Sequence, residues 1–143
     1  FNLNNKIMID VNGLRLGNYV YKTDDQTQQK VAKQVFMIQP SYVSLEKQNG
    51  NPCDIHLVEP IPLCHDLLYK NSFNLIDGRF FSRNVIDKIG VGIKLNGDGS
   101  LFIVMNSAPN GYIEIPVEAK IKYLHQLQNL YFDLTGKELK VNL

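Results

Sequence analysis

The sequence predicts an α+β fold built mostly of antiparallel strands, and three observations carry that expectation. Short runs rich in Val, Ile, Phe and Tyr recur along the chain between turns containing Gly, Asn and Pro. Only two segments place apolar residues at helical three- and four-residue spacing. At 143 residues, 44% of them hydrophobic, the chain has enough apolar material for one domain spanning 1–143, with 1–10 as an extended N-terminal segment.

The first half reads as a bent meander of SH3-like character. "GLRLGNYVYK" alternates, with Leu14, Leu16, Tyr19 and Tyr21 sharing faces and Gly17-Asn18 marking a bend. "TDDQTQQK" is a polar hairpin loop. "QVFMIQ" and "YVSLEK" are strands around Pro40-Ser41, "QNGNP" is a further turn, and "DIHLVEP" a further strand. In the middle, Leu63, Leu67 and Leu68 predict a short helix from Pro62 or Leu63 to Lys70, with Asn71 at its end.

A second antiparallel sheet follows from "LIDGRFFSR", "GVGIKL", "SLFIVMN" and "YIEIPV". Asp-Gly, Asn-Gly-Asp-Gly and Pro-Asn-Gly bound these runs, and such residues tolerate the positive φ of hairpin turns. The last element is a helix. Ile121, Leu124, Leu127, Leu130, Tyr131 and Leu134 form its apolar face, Gly136 stands at the C-cap, and Leu139 folds back on the last turn. His125, Gln128 and Asn129 form a second stripe, expected to be a solvated face that offers His125 and Asn129 as surface contacts.

Charge and cysteine content exclude several classes. A formal net charge of +1 provides no general field for nucleic acid or anionic membranes. No apolar run approaches the roughly 20 residues of a membrane span. Two cysteines make no disulfide framework, which suits a reducing, cytoplasmic setting.

Catalytic signatures are missing. Cys53, His56, Cys64 and His65 have the residue types of a zinc site, but the adjacent Cys64-His65 pair does not have the spacing, so no metal is expected. Neither cysteine has the local context of an activated nucleophile. Asp24-Asp25 lies in a polar loop and reads as solvated. "NGDGS" lacks the lysine and following helix of a phosphate loop. The remaining lead is "GRFFSRN", where Arg79 and Arg83 accompany Phe80 and Phe81. Arginine beside aromatic rings suits phosphate and base stacking, whereas strand alternation alone would place one Phe inward and one outward. Tyr112 adds a rigid apolar ring with a polar tip. The candidate ligand-binding residues are therefore Arg79, Phe81, Arg83, Tyr112, His125 and Asn129, with no catalytic residues, metal or cofactor.

"IKYLHQLQNLYFDLTGKEL" closely resembles the ending shared by a family of small uncharacterised proteins of Bacteroidetes phages and prophages. "LRLGNYVY" and "VEPIPLCHDLLYKNSF" resemble that family's N-terminal strand and central segment. The three blocks stand in the same order and frame residues 14–139. Cys64-His65 departs from a Thr-Glu-like pair, and Asp133 from a small residue. The resemblance implies a mobile-element accessory protein in the cytoplasm of a bacterial host and transfers no catalytic residues. The resulting expectation is a non-enzymatic, homo-oligomeric binding protein that counters host defence by sequestering a small nucleotide-like signal. A virion- or DNA-associated interaction module is the alternative, and a small hydrolase or nuclease the third reading.

Overall fold

The computed structural model describes residues 7–46, 52–95, 99–106 and 111–143. The chain falls into two compact units that interleave in sequence, where the sequence reads as one domain. One comprises Phe1–Pro62 with Tyr123–Asn129, the other Leu63–Lys122 with Leu130–Leu143. The expected turn "QNGNP" lies outside the described residues except for Pro52, as does most of "NGDGS".

In the first unit, β1 (Tyr19–Thr23), β2 (Lys30–Ile38), β3 (Tyr42–Leu45), β4 (Pro52–Asp54) and β5 (Val58–Pro60) form one antiparallel sheet in the order β4-β3-β2-β1-β5. Its core gathers Leu14, Val20, Val35, Val43, Ile55 and Val58. The single strand expected at "DIHLVEP" is instead broken. The Asp54 side chain accepts from the His56 N–H at 2.8 Å and starts a 3-10 turn over Ile55–Leu57. That turn carries the chain from one edge of the sheet to the other.

Leu14 and Leu16 do not share a face. The chain bends at Gly17, so Leu14 is buried and Leu16 is 61% exposed. The β1–β2 loop is the expected polar hairpin, yet Asp24 does more than meet solvent. Its Oδ1 accepts from the Thr27 and Gln26 N–H groups and the Thr27 hydroxyl. Those bonds, Thr27's backbone first, hold its carboxyl below the ordinary value.

The second unit is a five-stranded antiparallel meander of β6 (Asn74–Ile76), β7 (Phe80–Ile86), β8 (Ile89–Ile93), β9 (Ser100–Asn106) and β10 (Tyr112–Lys120), in the order β10-β9-β8-β7-β6. Asp77 and Gly78 both have positive φ, and the Arg79 N–H closes the β6–β7 turn on the Ile76 carbonyl at 2.9 Å. Asp-Gly favours such a turn, and Arg79 is the third loop residue between Ile76 and its partner Phe80. Helix α1 (His65–Lys70) begins two residues beyond Leu63. At its end the Asn71 side chain donates to the Leu67 and Asn142 carbonyls and accepts the Asn142 N–H.

Phe80 and Phe81 are both buried, against the expectation of one inward and one outward ring. The sheet is covered on both faces here. Phe80 meets Phe102 and Tyr112 edge-on at 4.7 and 5.6 Å, while Phe81 meets His65 and Tyr69 of α1 at 4.9 and 5.2 Å. Gly92 makes room for this packing, because a Cβ there would lie 2.3 Å from the Phe102 ring. Gly92→Ala is therefore expected to destabilise the protein by about 1–3 kcal/mol through overpacking, read from the midpoint of denaturant unfolding.

Helix α2 (Leu124–Thr135) supplies its first turns to the first unit and the rest to the second. Its N-terminus is set by Gln126, whose side chain accepts the Tyr123 N–H at 3.1 Å, one half of a capping box. Gly136, at φ 69°, ends it with an N–H bond to the Phe132 carbonyl. Leu124 and Leu127 are buried as the periodicity predicts, and so is Leu139. None of the described helices is long and apolar enough to cross a membrane.

The stripe expected to be solvated is instead buried at His125 and Gln128. The Gly17-Asn18 bend leaves backbone groups that strand pairing does not reach, and the amides of α2 satisfy them. Gln128 accepts the Tyr19 N–H at 2.8 Å and donates to the Gly17 carbonyl at 3.2 Å. Asn129 accepts from the Asn18 amide at 2.9 Å and donates to the Gly13 carbonyl at 2.8 Å.

Candidate functional site

Two contacts curl the sheet of the second unit. β10 and β6 are its edges, yet the Tyr112 hydroxyl donates to Asp77 at 3.2 Å and Arg79 pairs with Glu114 at 3.3 Å. Both tie β10 to the β6–β7 turn. The concave face so formed holds Phe80, Phe102 and Val104, with Ile76 and Tyr112 packed against them.

Strand alternation carries this face from Phe80 to Ser82 and Asn84, and the register sets Asn74 opposite Ser82. A cleft of about 430 Å³ opens here, lined by Asn74, Ser82, Arg83, Asn84 and Tyr112 among others. Partial burial first, and the bond to Asp77 second, hold the Tyr112 hydroxyl above its ordinary pKa. The Arg83 side chain follows Phe81 to the other face of the sheet, where its Nη1 donates to the Asn71 carbonyl at 2.9 Å and its guanidinium lies 5.1 Å from the centre of the Tyr131 ring. An aromatic ring and short polar side chains can hold a planar polar group.

The six candidate residues separate. Arg83 and Tyr112 line this cleft, and Arg79 stands beside Tyr112 in its pair with Glu114. Phe81 is 2% exposed and packs against α1. His125 is 5% exposed, and its Nδ1 has no hydrogen-bond partner among the described residues. Burial lowers its pKa to about 4, so the imidazole is neutral at pH 7. Asn129 is committed to Asn18 and Gly13. Neither offers the surface contact expected of it, because His125 is buried and the Asn129 amide is engaged by Asn18 and Gly13.

Sequence reasoning passed over Asn74, Ser82 and Asn84. The alternation from Phe80 contained the signal for Ser82 and Asn84. The curl that turns their face into a cleft depends on contacts far apart in sequence.

A second cleft, of about 510 Å³ in the first unit, is lined by Leu16, Tyr19, Lys33, Phe36 and Glu46 among others. Lys33 is paired there with Glu46 at 3.3 Å, which leaves little positive potential for an anion. Among the described residues, no three His, Cys, Asp or Glu side chains gather as metal ligands. Cys53 is half-buried and Cys64 exposed, while the His56 Nδ1 lies 3.2 Å from the Met8 sulfur. Comparison with family models, with curated proteins and with solved structures gave no match.

Proposed function

We propose that the chain is a non-enzymatic binding protein of phage or prophage origin that sequesters a small nucleotide-like host signal in the cytoplasm. The cleft carries this reading. Tyr112 supplies a ring for stacking, Asn74, Ser82 and Asn84 polar atoms for the edge of a base, and Arg79, beside Tyr112, a cation for phosphate. The strand order of the first unit, with a 3-10 turn before a last strand that returns to β1, supports an SH3-like meander in that unit.

Titration calorimetry with mono-, di- and cyclic nucleotides tests the assignment. One class is expected to bind, with Arg79→Gln weakening it by about 10-fold, the worth of one charged hydrogen bond. Asn74→Leu, at an exposed position of the same cleft, is expected to weaken it without touching the Arg79–Glu114 pair. If native mass spectra show no added small-molecule mass after incubation with host lysate, and no nucleotide class binds, the reading is wrong.

A further inference from the structure

The side of β8, β9 and β10 opposite the cleft carries no polar side chain. The register aligns it in three rows, Ile89–Met105–Ile113, Val91–Ile103–Ile115 and Ile93–Leu101–Val117. Val91, Ile93 and Leu101 are buried, but the rows end in the open at β10. Ile113 is 53% and Ile115 44% exposed, with Val117, Met105 and Ile89 close to 40%. An edge strand of a folded sheet ordinarily turns its apolar side inward. β10 inverts that rule, for Tyr112 and Glu114 are half-buried while Ile113 and Ile115, which alternate with them, face solvent.

We propose that this face is the contact between two copies of the chain, β10 against β10 about a two-fold axis. Three arguments select a second copy. A two-fold contact needs only a self-complementary surface, and an uncharged row of Ile and Val is one. The five open side chains expose on the order of 400 Å², within the range of the largest patch a monomer shows, and two such faces with their rims reach roughly the 1,200 Å² at which stable interfaces begin. Pro116, in the middle of β10, has no N–H to donate, so an added strand would pair poorly along this edge. The partner therefore seats on the apolar face rather than extending the sheet.

Sedimentation velocity across a micromolar dilution series tests this. A species of twice 16.3 kDa is expected, dissociating on dilution. Ile113→Lys is expected to raise the dimer Kd by at least ~30-fold, as loss of a central anchor does, whereas Glu118→Lys leaves it unchanged. Hydrogen exchange of the unaltered protein gives a readout that no variant's folding can disturb, since residues 112–120 should gain protection as concentration rises. A monomer at every concentration overturns the proposal. So does a dimer that Ile113→Lys leaves intact, or protection at 112–120 that appears only when a different protein is added.

Discussion

Replacing Gln128 by Met is expected to destabilise the protein by about 2 kcal/mol while leaving its volume nearly unchanged. Gln128 is 2% exposed, and both ends of its amide are engaged by the backbone of the bend before β1. The thioether of Met can replace neither bond. The Tyr19 N–H would then sit unpaired, at about 1–3 kcal/mol for a buried orphan, while the Gly17 carbonyl would keep only its 3.3 Å bond from the Gln34 amide. Gln126→Met, on the same helix but half-buried, removes a capping bond and should cost about 1 kcal/mol. Urea unfolding of the two variants separates them, and equal losses would mean that the Gln128 bonds carry no special weight.

The stability of the unaltered protein should fall by about 3 kcal/mol more than that of His125→Phe as the pH drops from 7 to 4. The folded imidazole titrates at about 4, against an ordinary value of 6.5. Below pH 6.5 the unfolded chain takes up a proton that the buried ring refuses, so protons favour unfolding. The stability that depends on a neutral His125 is therefore complete above pH 6.5. It is lost across the interval down to about 4 at roughly 1.4 kcal/mol per pH unit. The lowered Asp24 carboxyl acts in the same direction, but only below its ordinary value of 3.8, so the two windows do not overlap much. Denaturant midpoints at several pH values measure the difference directly. Parallel curves for the two proteins would show that His125 opens to solvent before it titrates.

Features that depend on a few neighbouring residues were legible in the sequence. Asp77-Gly78 specifies its turn through φ alone, and Gly136 ends α2 because the next residue must enter the left-handed region. The apolar spacing of Leu124 and Leu127 names the buried face of the helix. Features that depend on what covers a surface were not legible. Phe81 is inside because α1 lies over it, and nothing in "GRFFSRN" encodes that cover. The amides of Gln128 and Asn129 read as a wet face because the groups they satisfy are more than 100 residues away. The break at Asp54 was hidden by an alternating pattern that a single side-chain bond overrides. Of the candidate site, Arg79 and Tyr112 were legible from residue type, while the polar residues beside them needed the curl.

Helix α2 has a bearing on how the protein is made. Its first turns complete a unit that otherwise consists of the N-terminal residues, and they are followed by the segment that ends the other unit. During synthesis the β1–β5 sheet emerges early but must wait for Gln128 and Asn129, with the Tyr19 N–H and Gly13 carbonyl unmet until nearly the whole chain has left the ribosome. No single cut of the polypeptide releases the first unit whole, because its two segments stand on either side of Leu63–Lys122. A nick between β5 and α1 would leave an N-terminal fragment without Tyr123–Asn129, and it should regain structure only on being mixed with the fragment that carries them.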